Sequence, residues 1–167
     1  MNGKKTGYGE AFNDNQVKIY EGNWDNDLMN GQGKKYSATT KLIYDGEFLN
    51  GKKSGYGSLY YESGHKNYEG NFKDDAFFSN GKKFYENGNI MYEGFQSTSK
   101  KYFKGKIYDE EGQVTFDGET INNKAIGFGS SFFSNGHLKY EGCWENGFYN
   151  GGGTLYHSNG NLNFMIS

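Results

Sequence analysis

Three histidines, six evenly spaced carboxylates, a single thiol and several Gly-x-Gly runs are the groups in this chain whose types could do chemistry. The carboxylates are Glu21, Asp45, Glu69, Glu93, Asp117 and Glu141, one every 24 residues. On paired β-strands, members two strands apart sit about 9.6 Å from one another, the wide end for an inverting glycosidase pair. A sheet face offers no pocket to raise one pKa, so a solvated face is the simpler reading. His65 and His137 lie 72 residues apart. Across six strands that is roughly 29 Å, and ligands of a shared metal sit about 2 Å from it. Both read as turn residues. The Gly-x-Gly runs fall in strand-like segments and not before helices, so they are not phosphate loops. Cys143 has no second cysteine to pair with, which excludes an internal disulfide framework. No catalytic, cofactor or metal site is expected.

Two remaining features point to binding. Trp24, Phe48, Phe72 and Trp144 share one repeat position, with Phe77, Phe78 and Phe103 as rings off the regular columns. A one-layer sheet leaves some rings exposed, and Trp, Tyr and Phe are the usual interface anchors. Lysine doublets recur at Lys4-Lys5, Lys52-Lys53 and Lys100-Lys101, and the last joins Tyr102, Phe103 and Lys104 in a basic-aromatic cluster. Near an anionic membrane each lysine is worth about 1 kcal/mol. Acidic residues are as numerous nearby, so a solvated rim is the simpler reading.

The elements that must hold these groups follow from an unbroken period. Aromatic-acidic-Gly starts at Tyr20, Tyr44, Tyr68, Tyr92, Phe116 and Tyr140, and Phe164 falls at the next step of 24. With that aromatic as position 0, position 13 is glycine in every repeat, from Gly9 through Gly57 to Gly153. Position 16 is always Tyr or Phe. Lys18-Ile19-Tyr20-Glu21-Gly22-Asn23-Trp24 alternates apolar and polar residues, which is strand periodicity. A second strand lies within Gly51 to Tyr61. Ser134-Asn135-Gly136-His137 and its equivalents supply the positive φ of a hairpin turn. Setting the rings at positions 0 and 4 opposite those at 16 and 12 puts all four on one face. A three-residue loop between repeats, with glycine as a left-handed bulge residue, keeps the next repeat's rings on that face. Glycine inside a strand is tolerable where a neighbouring ring covers the bare backbone.

Composition agrees. Mean hydropathy is -0.94, yet 19% of residues are aromatic, too many for a disordered chain. The 27 glycines and absent prolines leave little aliphatic material for a thick core. Net charge is -2 and every basic residue is lysine, so neither a basic field nor arginine readers favour nucleic acid. No signal-peptide or membrane-spanning pattern is visible.

Tyr44-Asp45-Gly46-Glu47-Phe48 followed by Gly55-Tyr56-Gly57 resembles the MORN (membrane occupation and recognition nexus) repeat, Tyr-x-Gly-x-Trp followed by Gly-x-Gly. Tyr140-Glu141-Gly142-Cys143-Trp144 with Gly151-Gly152-Gly153 matches it well. Tyr85-Glu86-Asn87-Gly88 leading into Tyr92-Glu93-Gly94 is similar to the bacterial-type variant. The resemblance covers nearly the whole chain. It implies protein docking, dimerisation, cytoskeletal or membrane contact, or targeting of a larger enzyme. The middle repeats depart from the pattern: Ser79 stands at position 11 in one. The next has Gln96 at position 4, Phe103 at position 11 and Ser97-Thr98-Ser99 in its loop, and the one after has Thr120 at position 4. A bend, a binding site or neutral drift would each produce this lapse. Phe77-Phe78 are placed in a hairpin loop.

The expected fold is all-β, an elongated single-layer twisted antiparallel sheet of 24-residue β-hairpins. About 14 strands at roughly 4.8 Å give a span on the order of 65 Å. The expected division is one domain over 1–167: a partial unit 1–19, repeats 20–43, 44–67, 68–91, 92–115, 116–139 and 140–163, and a terminal strand 164–167. The expected function is a non-enzymatic scaffold for protein–protein interaction, a subunit or targeting segment of a larger assembly. Peripheral binding of anionic membrane through Lys52, Lys53, Lys100, Lys101 and Lys104 is the alternative. The expected location is a cytoplasmic or intracellular assembly, peripheral to a membrane or cytoskeletal structure. The start at Asn2-Gly3, midway through a repeat, suggests a longer parent chain. Phe164, Met165 and Ile166 form an apolar edge strand, for which end-to-end self-association or pairing with a partner strand is expected.

Overall fold

The computed structural model describes residues 3–97 and 100–166. Asn2, the Thr98-Ser99 part of one loop, and Ser167 lie outside the described residues. The strands fall into two compact units, Met1–Gly88 and Asn89–Ser167. The first holds β1 (Gly7–Phe12), β2 (Lys18–Asp25), β3 (Leu28–Tyr36), β4 (Leu42–Leu49), β5 (Lys52–Tyr60), β6 (Lys66–Lys73) and β7 (Ala76–Phe84). The second holds β8 (Ile90–Ser97), β9 (Tyr102–Tyr108), β10 (Val114–Ile121), β11 (Lys124–Phe132), β12 (Leu138–Glu145), β13 (Phe148–Tyr156) and β14 (Leu162–Ile166). Within each unit, successive strands pair antiparallel in chain order. No α-helix occurs among the described residues, and none of their helices is long and apolar enough to cross a membrane.

Two turn types alternate. Between repeats the expected three-residue loop is present: the Tyr61 N–H donates to the His65 carbonyl, and the Gly64 N–H donates back to Tyr61, both at 2.9 Å. The last loop residue is left-handed, with φ of 87° at Gly64 and 63° at Thr40. Inside five of the repeats the hairpin closes on two residues with positive φ at both, as at Asn26-Asp27 (50° and 69°) and Asn50-Gly51 (50° and 82°). These are type I′ turns, whose twist matches that of the flanking strands.

The two-residue turn overturns one expectation. Position 0 pairs with position 15, as Tyr44 does with Leu59, and position 4 pairs with position 9, as Phe48 does with Lys53. Pairing with 16 and 12 was expected. A shift of one residue moves a whole set of side chains to the opposite face. Rings at 0, 4 and 9 therefore share a ring face, while rings at 12 and 16 join the acidic column on the other. Phe77 is corrected in the same way: it lies in β7, paired with Phe72, and not in a loop. Phe78 follows it in the same strand.

The second strand carries a further irregularity. Between Gly22↔Gly33 and Trp24↔Met29 it holds two extra residues, and the bulge turns on position 11. That residue is left-handed at Gly31 (83°), Gly55 (60°), Gly127 (62°) and Gly151 (75°), and also at Ser79 (66°). Phe103 occupies position 11 in β9, where the β8–β9 pairing runs without a shift from Tyr92↔Ile107 to Ser97↔Tyr102. A bulky residue resists the left-handed region, so this hairpin is regular and Phe103 pairs with Gln96.

The ring of position 0 covers the glycines at 2 and 13. The hydroxyl of Tyr44 passes over Gly46 and Gly57 to donate to the Glu47 carbonyl at 2.9 Å, and Tyr20 and Tyr140 do the same to Asn23 and Cys143. Between these tyrosines stand the rings of position 4, edge-to-face: Tyr20–Phe48 at 5.4 Å, Tyr44–Phe48 at 5.1 Å, Tyr44–Phe72 at 5.3 Å and Tyr68–Phe72 at 5.2 Å. Such pairs add about 0.5–1.5 kcal/mol each beyond their burial.

Two expected outcomes test this layer. A β-carbon on Gly57 would stand 2.7 Å from Cζ of Tyr44 and overlap its hydroxyl, while Ser58 points to the other face. Gly57→Val should lower stability by at least about 1–3 kcal/mol, and Ser58→Val far less. Thermal melts of the two variants decide it, and equal midpoints would refute the packing. Ser79→Gly should raise the midpoint, because the left-handed conformation costs a non-glycine residue about 1 kcal/mol. Part of that gain is offset in the unfolded chain.

Candidate interaction surface

The ring face is mostly core. Phe48 and Phe72 are 4% and 3% exposed, and with Tyr20, Tyr44 and Tyr68 they form the buried cluster of the first unit. They are therefore not the exposed contact rings expected from the sequence. Trp24 and Trp144 are half-buried, each donating its indole N–H to a carbonyl of the preceding repeat: Gly9 at 3.3 Å and Gly129 at 2.9 Å. Phe77 stacks on Tyr68 at 4.1 Å. Phe103 meets Tyr92 edge-on at 5.2 Å.

The opposite face carries the acidic column among tyrosines and lysines. Lys18 donates to Glu21 at 2.6 Å, and so does the Tyr36 hydroxyl. Lys66 and Tyr56 grip Glu69 at 2.8 and 2.9 Å, and Tyr108 donates to Glu93 at 2.5 Å. This is the solvated face. Position 12 supplies exposed rings there: Tyr8 (72% exposed) and Tyr56 in the first unit, Phe128 in the second. The register error hid them; the Asn50-Gly51 and Asn146-Gly147 doublets, read as two-residue turns, would have revealed them. The same face of the first unit has a groove of about 650 Å³, lined in part by the exposed Leu49 and Phe78 with Lys52, Lys73 and Asp74.

The lysine rim is neutralised in part. Lys52 pairs with Asp74 at 3.4 Å and Lys53 with Asp75 at 3.2 Å. Lys53 also stands 5.9 Å above the Tyr44 ring. Lys104 pairs with Glu119 at 2.9 Å. Lys100 and Lys101 flank the start of β9 and are exposed. The histidines tie turns together: Nδ1 of His137 is 2.8 Å from the Ser158 carbonyl, one repeat on, and His65 meets the Glu86 carbonyl likewise. At β14, Phe164, Met165 and Ile166 pair with Leu155, Thr154 and Gly153, and Phe164 and Met165 are exposed.

The acidic face sets a pH dependence. Bonds from Lys18 and then Tyr36 hold the Glu21 carboxyl below the usual carboxylate range, and Lys66 and Tyr56 do the same for Glu69. Their contribution to stability is full above the unfolded value of about 4.3 and is lost as pH falls through the lower folded values. Burial, then the bond to a carboxylate, pushes the Tyr36 and Tyr108 phenols up to about 12. Folding thus favours the neutral phenol, a contribution complete below the unfolded value of about 10 and lost as pH rises through 12. The melting temperature should hold up to about pH 10 and fall between 10 and 12. Phenolate absorbance at 295 nm should show a late-titrating class of tyrosines, and a single transition near 10 would contradict it.

The sequence profile of the MORN repeat matches residues 20–39, 44–66, 68–90 and 140–162. No curated protein matches the chain. The matched segments are the repeats in which rings at 0 and 4 interlock; the unmatched stretch contains Gln96, Phe103 and Thr120. MORN repeats are a non-catalytic family of protein- and membrane-interaction modules. The matches cover more than half of the residues, and the chain belongs to the MORN repeat family.

Proposed function

We propose that this chain is a protein-interaction scaffold, a subunit or targeting segment of a larger assembly. The observation that carries the reading is the exposed apolar material on the acidic face of the first unit. Tyr8, Tyr56, Leu49 and Phe78 are all exposed there, the last two beside a groove of about 650 Å³. Rings of this kind gain most from burial against a protein surface that also satisfies the tyrosine hydroxyls. The lysines speak against a membrane as the principal partner. An anionic surface rewards unpaired lysines, whereas Lys52, Lys53 and Lys104 each stand against a carboxylate of their own chain.

Capture from a lysate on immobilised protein, beside co-sedimentation with phosphatidylserine vesicles, separates the two. Tyr8→Ser with Phe78→Ser should remove the captured protein while leaving the melting temperature nearly unchanged, since both side chains are exposed. Lys52→Gln with Lys53→Gln should matter less. Salt-sensitive pelleting with vesicles, abolished by the lysine variant and not by the ring variant, would overturn the scaffold reading.

A further inference from the structure

Position 4 is a ring in four repeats and is polar in two adjacent ones. Trp24, Phe48, Phe72 and Trp144 each stand edge-to-face against a tyrosine of position 0. Gln96 and Thr120 take the same position in β8 and β10, on either side of β9. Phe103 pairs with both of them, so Gln96, Phe103 and Thr120 form one row across three strands on the ring face. Where two large rings would stand, there is a cavity of about 460 Å³, lined by Tyr92, Phe103, Ile107, Gln96 and Thr120 among others. That volume lies within the range of about 300–1,000 Å³ usual for ligand pockets.

The polar residues in this row are buried. Gln96 and Thr120 are each 6% exposed. The Tyr92 hydroxyl donates to Oε1 of Gln96 at 2.8 Å. In Tyr20, Tyr44 and Tyr140 the hydroxyl reaches the position-3 carbonyl instead, so this tyrosine has been drawn to the glutamine. Nε2 of the same amide is buried and has no protein partner. A buried donor left unmade costs free energy that an apolar residue would avoid, and the other repeats show which apolar residues fit.

We propose that this cavity binds an aromatic side chain carrying a hydrogen-bond acceptor, a tyrosine presented by a partner protein. Its ring takes the place that a position-4 ring of this chain fills elsewhere, edge-to-face with Tyr92 and beside Phe103. Its hydroxyl oxygen accepts from Nε2 of Gln96. The proposal rests on the scaffold reading, to which it adds the chemistry of one contact.

A small probe tests the pocket without the partner. The full chain, labelled with ¹⁵N, is titrated with p-cresol and with toluene, which differ by the hydroxyl. p-Cresol should shift the amides of Gln96, Phe103 and Thr120, and bind roughly fivefold tighter than toluene, the worth of one ordinary hydrogen bond. Gln96→Met keeps the volume and removes the donor, so the two probes should then bind alike. Gln96→Phe with Thr120→Phe refills the cavity with rings that position 4 carries in other repeats, and should abolish binding without lowering the melting temperature. Should that double variant fold poorly, Gln96→Met alone decides. Absence of p-cresol shifts at millimolar concentration, shifts spread away from this row, or a cresol preference that survives Gln96→Met would each overturn the proposal. The exposed-ring capture experiment reads a different face, so loss of the pocket and loss of the scaffold reading give separate results.

Discussion

The contact on which the structure depends is a tyrosine lying flat over two glycines on adjacent strands. A β-carbon on Gly46 would meet the α-carbon of Gly57 at 2.5 Å and the Tyr44 hydroxyl at 2.7 Å. The glycine pair brings the backbone within reach of the ring, and the ring shields backbone that would otherwise be bare. The hydroxyl finishes the arrangement by reaching the carbonyl of the residue just beyond its own glycine. With the ring held flat, its edges face the next position-4 ring on either side. The edge-to-face ladder follows from the ring–glycine contact and needs no thick core.

The repeat, the strand periodicity and both glycine columns were legible because each is a local signal recurring every 24 residues. The loop between repeats was legible too, since Gly64 and its equivalents mark a left-handed residue at fixed spacing. Face assignment was not legible from the ring columns. Positions 0, 4, 12 and 16 are all even, and any pairing that adds to an even number puts their rings together. The turn decides the parity: closure on positions 6 and 7 makes every pair add to an odd number. The bulge at position 11 inserts two residues and so preserves that parity. Tyr36 and Tyr56 were thereby sent to the carboxylates of Glu21 and Glu69 rather than to the core. The same shift made Phe48 and Phe72 interior and left Tyr8, Tyr56 and Phe128 exposed.

Paired charges account for the other difference between sequence and surface. The lysine doublets look like a basic rim in one dimension. For Lys52 and Lys53 the partners Asp74 and Asp75 lie 22 residues further on, across a hairpin, and no local window shows them together. Exposed pairs of this kind add little stability. Their effect is on recognition, because they remove the positive field that would draw the sheet to an anionic surface.

Repeat proteins tolerate a departure in one unit because each repeat's stability depends on its nearest neighbours. Phe103 shows how far one such departure reaches. A glycine there would permit the left-handed bulge and set position 9 opposite position 4. Phenylalanine removes the bulge and brings position 11 opposite position 4 instead. Phe103 therefore lands beside Tyr92, as Phe77 lands beside Tyr68 and Tyr149 beside Tyr140. The ring contact is kept by a different residue in a different register. That substitution alone would preserve a closed ring layer. The glutamine and threonine flanking it open the layer, and they do so side by side. The result is a buried amide donor, Nε2 of Gln96, facing the gap that the two missing rings create.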